Sequence, residues 1–163
     1  MTEKRIIIYT DGAARGNPGP GGYGAVMKYG KHRKELSGGF RLTTNNRMEL
    51  LAVIIALEEL KYEDSLVTVY SDSKYVCEAV NQKWLFDWER KGFKKKKNPD
   101  LWRRFLPALR KHNVKLTWIK GHSNIPENER CDALAVEASR QADLPADEGY
   151  EQEDNTLFKE SES

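Results

Sequence analysis

Ile6-Ile7-Ile8-Tyr9-Thr10-Asp11-Gly12 is the stretch from which the fold can be worked out. Five β-branched or aromatic residues in a row are too few for a helix and read as a buried strand, which Asp11-Gly12 ends. From Gly12 to Gly24 the chain carries Gly12, Gly16, Gly19, Gly21, Gly22 and Gly24 with Pro18 and Pro20, a composition that reads as a loop running into a second strand, Tyr23 to Tyr29. A third strand, about Glu35 to Leu42, completes an antiparallel meander. Asn45 or Asn46 can cap a helix running to about Tyr62, with Met48, Leu51, Ile54, Ile55 and Leu57 as its apolar face. Leu66 to Tyr70 is a further strand, ending at Ser71-Asp72-Ser73. A short helix to about Val80 and a second through Trp84 and Trp88 follow. After a basic loop from Gly92 to Pro99 come a helix from Asp100 to Lys111 and a strand from Val114 to Ile119. A loop from Lys120 to Pro126 leads into a last helix, Glu127 to about Ala142. The order βββ-α-β-α-β-α predicts an α/β fold: a five-stranded mixed sheet, antiparallel at first and then parallel, flanked by helices.

The whole chain has 163 residues, a length that suits one domain. Its longest apolar run, Leu50 to Leu57, falls far short of the ~18 residues of a membrane helix, and the N-terminal apolar stretch is too short for a signal peptide. Cys77 and Cys131 make neither a disulfide framework nor a C-x-x-C pair, which points to a reducing, cytoplasmic setting. The net charge of +2 hides a strong asymmetry. Residues 81–120 hold 13 Lys and Arg against three acids, an excess of +10, interleaved with Trp84, Trp88, Phe93 and Trp102. Such a segment suits a polyanion, because cations gain from counterion release and aromatic faces stack on bases or sugars; it also reads as a solvated basic helix face. Residues 143–163 hold eight acids and one lysine, with few aromatics and no apolar period. The expected division is one folded domain over residues 1–142 and an acidic, disordered tail over 143–163.

Four acids stand where a sheet's carboxyl edge forms a crevice or at the start of a helix. Asp11 follows the first strand and Asp72 the fourth, so neighbouring strands of like direction would bring them together. Glu49 lies early in its helix, and Asp132 in the second turn of the last one. Carboxylates gathered at one edge repel unless cations neutralise them, and hard divalent ions take oxygen ligands while leaving positions for a substrate phosphate. Each acid also has a plain structural reading: a turn pair for Asp11-Gly12, a helix-dipole acid for Glu49, a cap for Asp72, and a solvated face for Asp132. His122, between Gly121 and Ser123, could equally be a surface histidine.

Five segments, taken together, resemble the bacterial type 1 ribonuclease H family. They are Tyr9-Thr10-Asp11-Gly12, Gly16-Asn17-Pro18 to Gly24, Thr43-Thr44-Asn45-Asn46-Arg47-Met48-Glu49-Leu50, Tyr70-Ser71-Asp72-Ser73, and Lys120-Gly121-His122 with Pro126 to Asp132. The resemblance runs from about residue 5 to residue 142 and implies a ribonuclease H-like fold. It implies hydrolysis of the RNA strand of an RNA–DNA hybrid, leaving 5′-phosphate and 3′-hydroxyl ends. By the same likeness Asp11, Glu49, Asp72 and Asp132 would hold two Mg2+ ions, with Mn2+ as a possible substitute. Glu49 would also touch a ribose 2′-hydroxyl, His122 would assist proton transfer or product release, and Glu129 would be an auxiliary acid. Asn17, Asn45 and Asn46 would read the hybrid's minor groove. Trp84, Trp88 and Lys94, Lys95, Lys96 and Lys97 would form a basic protrusion gripping the DNA strand, and Thr44 would belong to its phosphate pocket. A monomer is expected, without membrane association.

Three positions depart from the family's usual pattern. Leu42 stands where an Arg commonly serves the phosphate pocket, Asp87 where an Asn commonly precedes the second protrusion Trp, and Lys74 where a Gln or similar polar residue follows the Asp-Ser of the third motif. Trp102 shares its helix with Leu101, Phe105 and Leu109 and is assigned to the core. A transposase- or integrase-like nuclease of the same fold, or a hybrid-binding module without catalysis, are the competing readings. The presence of all four acids, together with the Asn45-Asn46-Arg47-Met48-Glu49 helix start, argues against both.

Overall fold

The computed structural model describes residues 5–152. Three strands open the chain: β1 (Arg5–Ala14), β2 (Gly19–Tyr29) and β3 (His32–Thr43). They are followed by α1 (Asn45–Glu58), β4 (Leu66–Ser71), α2 (Lys74–Asn81), α3 (Trp84–Arg90), α4 (Pro99–Arg110), β5 (Asn113–Trp118) and α5 (Pro126–Ser139). The sheet order is β3-β2-β1-β4-β5, antiparallel across β1, β2 and β3 and parallel from β1 through β4 to β5. This is the mixed α/β sheet expected from the element order.

Alternation along the strands divides the sheet into two buried faces. Ile8, Ala25, Met27, Val67 and Val69 join the large core that also takes in Met48, Leu51, Ile54, Trp102 and Phe105 from α1 and α4. Tyr9 and Val26 belong instead to a smaller cluster with Cys131 and Leu134 of α5. Trp102 is completely buried, with its indole N–H donating to the Tyr75 hydroxyl at 2.9 Å, in line with its assignment to the core.

The glycine run departs from its reading as a loop. β1 continues to Ala14 and β2 begins at Gly19, leaving only residues 15–18 to connect them. Gly22 and Gly24 lie within β2 because helix α5 packs its backbone directly on them. A Cβ at Gly22 would stand 2.2 Å from the Ala135 carbonyl oxygen, and one at Gly24 2.5 Å from that of Cys131. Here glycine marks a close backbone approach within a strand. The cap of α1 is also one residue earlier than expected: Thr44 Oγ1 accepts from the Arg47 N–H at 3.2 Å, and the helix stops at Glu58, short of Tyr62. At α2 the cap is Ser73, whose hydroxyl accepts from the Val76 N–H at 3.2 Å, so Asp72 is free of that duty.

Contacts also cross the boundary expected at residue 142. Arg47, 1% exposed, donates from Nε to Asp147 Oδ2 at 2.7 Å and pairs with Asp100 at 2.8 Å. Asp147 Oδ2 also accepts from the Thr43 hydroxyl at 2.7 Å. Arg41 pairs with Glu151, and its N–H donates to the Pro145 carbonyl at 2.9 Å. Residues 145–151 are thereby tied to the end of β3 and the start of α1, because a buried guanidinium requires carboxylate partners. Burial works against the charge on Arg47, but the Asp100 and Asp147 carboxylates outweigh it and raise its pKa further. The rest of the acidic tail, residues 153–163, lies outside the described residues. No helix among the described residues is long and apolar enough to cross a membrane.

Candidate active site

Strand register brings the first two acids together. β1 and β4 run parallel and their pairing ends at Thr10 opposite Ser71, so Asp11 and Asp72 are the next residues on adjoining strands. Glu49 arrives through a close approach of α1. A Cβ at Gly12 would lie 2.3 Å from the Met48 carbonyl carbon and 2.4 Å from the Glu49 nitrogen. Only glycine beside Asp11 lets the helix come this near. Carboxylate oxygens of Asp11, Glu49 and Asp72 consequently lie within 4.8 Å of one another.

Little in the protein neutralises this group. The Gly12 N–H donates to Asp11 Oδ1 at 2.9 Å, but Glu49 Oε2 and Asp72 Oδ1 are buried without a hydrogen-bond partner. Burial, and then the charge of Asp72, push the Asp11 carboxyl up to about 7. Glu49 is raised well above the usual carboxylate range by burial and by its two neighbours. Three clustered carboxylates, two of them with a buried, orphaned acceptor oxygen, fit a divalent cation bound through oxygen.

The trio lies in a cleft of about 390 Å³, which Asp132, His122, Asn45, Asn46, Ser73, Lys74 and Tyr75 also line. Asp132 is in the cleft and adds its charge at Asp11, but it is not one of the clustered three. His122 is exposed and left-handed, with φ of 56°. Its loop passes close to Asp72 through Gly121, where a Cβ would meet Asp72 Oδ2 at 2.9 Å. Glu129 is exposed in the first turn of α5 and is not among the residues lining the cleft.

Two of the expected asparagines are held in one orientation by backbone donors. Asn17 Oδ1 accepts from the Asn45 N–H at 3.0 Å, and Asn45 Oδ1 accepts from the Ala14 N–H at 2.6 Å. With the oxygens so engaged, the amide NH2 groups are the donors these side chains have to offer a ligand. Asn46 is exposed at the cleft edge.

The basic segment is a surface apart from the cleft lining. Trp84 is exposed, and Lys94 to Lys97 are all exposed. Trp88 is half-buried, edge-on to Trp102 at 5.6 Å, with Lys96 Nζ 5.1 Å from its ring centroid. Phe93 is buried, which removes it from the aromatic surface suggested by composition. Asp87 pairs with Arg90. Tyr75, on the cleft lining, had no signal beyond adjacency to a motif, and Gly12 and Gly121, though inside motifs, carried no sign of the close approaches they permit.

Comparison with known proteins places the chain in a family. The sequence profile of the RNase H family matches residues 3–140. The chain is 57% identical over 153 residues to a ribonuclease H of Syntrophus aciditrophicus, covering 91% of this chain and 88% of that protein. Among solved structures it is similar to LC9-RNase H1, a type 1 RNase H with the type 2 active-site motif, at TM-score 0.75 and 29% identity over 85% of this chain and 74% of that one. It is also similar to LC11-RNase H1 in complex with an RNA/DNA hybrid, at TM-score 0.58 and 31% identity over 82% and 95% of the two chains.

Proposed function

The chain belongs to the RNase H family, and from this membership and the acidic cleft we infer a metal-dependent endoribonuclease that hydrolyses the RNA strand of RNA–DNA hybrids. The observation that carries the reading is the trio Asp11, Glu49 and Asp72, with two buried carboxylate oxygens lacking any partner. Two Mg2+ ions, or Mn2+ in their place, would supply Lewis-acid charge for attack of water on the scissile phosphodiester.

Within this reading Asp11 and Asp72 would hold that charge from adjoining strand ends, Glu49 from α1, and Asp132 from α5. A bound cation would favour the carboxylate form of Asp11 and so offset the burial that raises its pKa. Glu49 also accepts from a ribose 2′-hydroxyl, the group that separates RNA from DNA. His122 carries a proton to or from the reacting phosphate on its exposed loop, and Glu129 assists from the surface. The amide donors of Asn17, Asn45 and Asn46 meet minor-groove acceptors, which every base pair displays, so cleavage has little sequence preference. Thr44, Trp84, Trp88 and Lys94 to Lys97 bear on the DNA strand, although Thr44 already caps α1 and half-buried Trp88 offers less surface than Trp84. A monomer in a reducing cytoplasm completes the proposal, consistent with two buried free cysteines.

Attack by water with departure of the ribose 3′-oxygen leaves a 3′-hydroxyl and a 5′-phosphate. RNA fragments from a digested hybrid are therefore expected to prime a polymerase without phosphatase treatment. Fragments ending in a 2′,3′-cyclic phosphate would show attack by the 2′-hydroxyl and contradict this chemistry.

A further inference from the structure

Lys74 is the one lysine or arginine among the described residues that line the acidic cleft, where His122 is the other basic side chain. It shares that wall with Asp11, Glu49 and Asp72, yet it forms no ion pair with any of them among the described residues. Its ammonium is held instead over the ring of Trp118, 5.1 Å from the centroid. Trp118 is 43% exposed at the end of β5, and its indole N–H donates to the Asp72 carbonyl oxygen at 3.1 Å. The tryptophan is thus anchored to the same residue that supplies a carboxylate to the cluster, and its face holds the lysine at the rim.

Local stability does not account for this arrangement. Lys74 is the first residue of α2, where a positive charge opposes the helix macrodipole. A cation–π contact at an exposed site is a weak restraint, on the order of 0.5–1 kcal/mol. It can keep a flexible ammonium off the carboxylates while leaving its donors open to a stronger anion.

We propose that Lys74, held by Trp118, is a substrate-binding residue that contacts a backbone phosphate of the RNA strand beside the cleavage site. A compact ammonium is suited to a phosphate as a point charge. The inference rests on the hybrid-cleaving reading given above. Its consequence is that this enzyme draws part of its grip on the RNA strand from an electrostatic contact within the cleft, separate from the basic surface at Lys94 to Lys97.

The test is binding of a labelled RNA–DNA hybrid by Lys74→Gln, Lys74→Arg and the unmodified protein across a NaCl series in Ca2+, with KM and kcat measured in Mg2+. One lost phosphate contact should reduce the slope of log K against log salt by about 0.7–0.9. Lys74→Gln should show that reduction together with a raised KM, and Lys74→Arg should restore the slope. Trp118→Leu should weaken binding, but add little to Lys74→Gln in the double variant. An unchanged slope in Lys74→Gln overturns the proposal. So does a change confined to the divalent concentration needed for half-maximal activity, which would assign the lysine to the acids. Failure of the unmodified protein to bind or cut hybrid would instead overturn the functional reading itself.

Discussion

Asp11→Asn is expected to reduce divalent-dependent cleavage of hybrid by at least about 10³-fold, a loss of roughly 4 kcal/mol of transition-state stabilisation, while making the metal-free protein more stable. Both effects come from the same crowding. Asp11 is one of three carboxylates within 4.8 Å, so its removal takes a ligand from the site and a charge from a repulsive group. In the metal-free fold its pKa stands at about 7, raised chiefly by burial and then by Asp72, against about 3.9 in an unfolded chain. Between those values the native state holds a proton that the unfolded state has released. Stability therefore falls as pH rises from about 4 to 7, by an amount on the order of a few kcal/mol, and the whole deficit persists above pH 7. Asparagine carries no such deficit. Thermal unfolding without divalent ions should show a higher Tm for Asp11→Asn at pH 8 and a flatter profile between pH 4 and 7. Retained cleavage, or a lower Tm at pH 8, would remove Asp11 from this role.

The second large effect is expected far from the cleft. Asp147→Ala leaves Arg47 buried with only the half-exposed Asp100 as a charged partner, and deprives the Thr43 hydroxyl of its acceptor. Breaking a buried pair from one side costs about 3–5 kcal/mol, which for a domain of this size is a fall in Tm on the order of 10 °C. Glu151→Ala removes an exposed pair with Arg41 and should cost no more than about 1 kcal/mol. Thermal or urea unfolding of the two variants side by side separates the cases. Equal small losses would mean that Arg47 finds compensation from Asp100 and from Asn98, whose amide oxygen accepts from its Nη1 at 3.3 Å.

These two residues also mark what could be read in the sequence and what could not. Asp11 and Asp72 were legible because each follows a short β-branched strand, and parallel neighbours align their ends. Glu49 was legible as an early helix residue, but its distance to Asp11 depends on Gly12, which sequence offers only as half of a turn pair. Gly19, Gly21 and Gly22 read as loop, although they lie in β2, because composition cannot distinguish a loop from a strand on which a helix backbone lies. Arg47 stood in plain view within a motif, yet its partner Asp147 is 100 positions away, in a segment whose acidity and lack of apolar period suggested a disordered tail. Such a pairing has no local signal. Asp132 was grouped with the other acids from its place in α5, and the structure puts it in the cleft but outside the trio. The net charge, too, has separated: Asp147 and Glu151 neutralise Arg47 and Arg41, leaving Lys94 to Lys97 exposed.

The most direct measurement gives the protein one labelled RNA in three forms: paired with DNA, paired with RNA, and single-stranded, each with and without Mg2+. The account predicts cleavage of the RNA in the DNA hybrid only, and only with the divalent ion present. Cleavage of the hybrid in the presence of a chelator, or equal cleavage of all three forms, would contradict it.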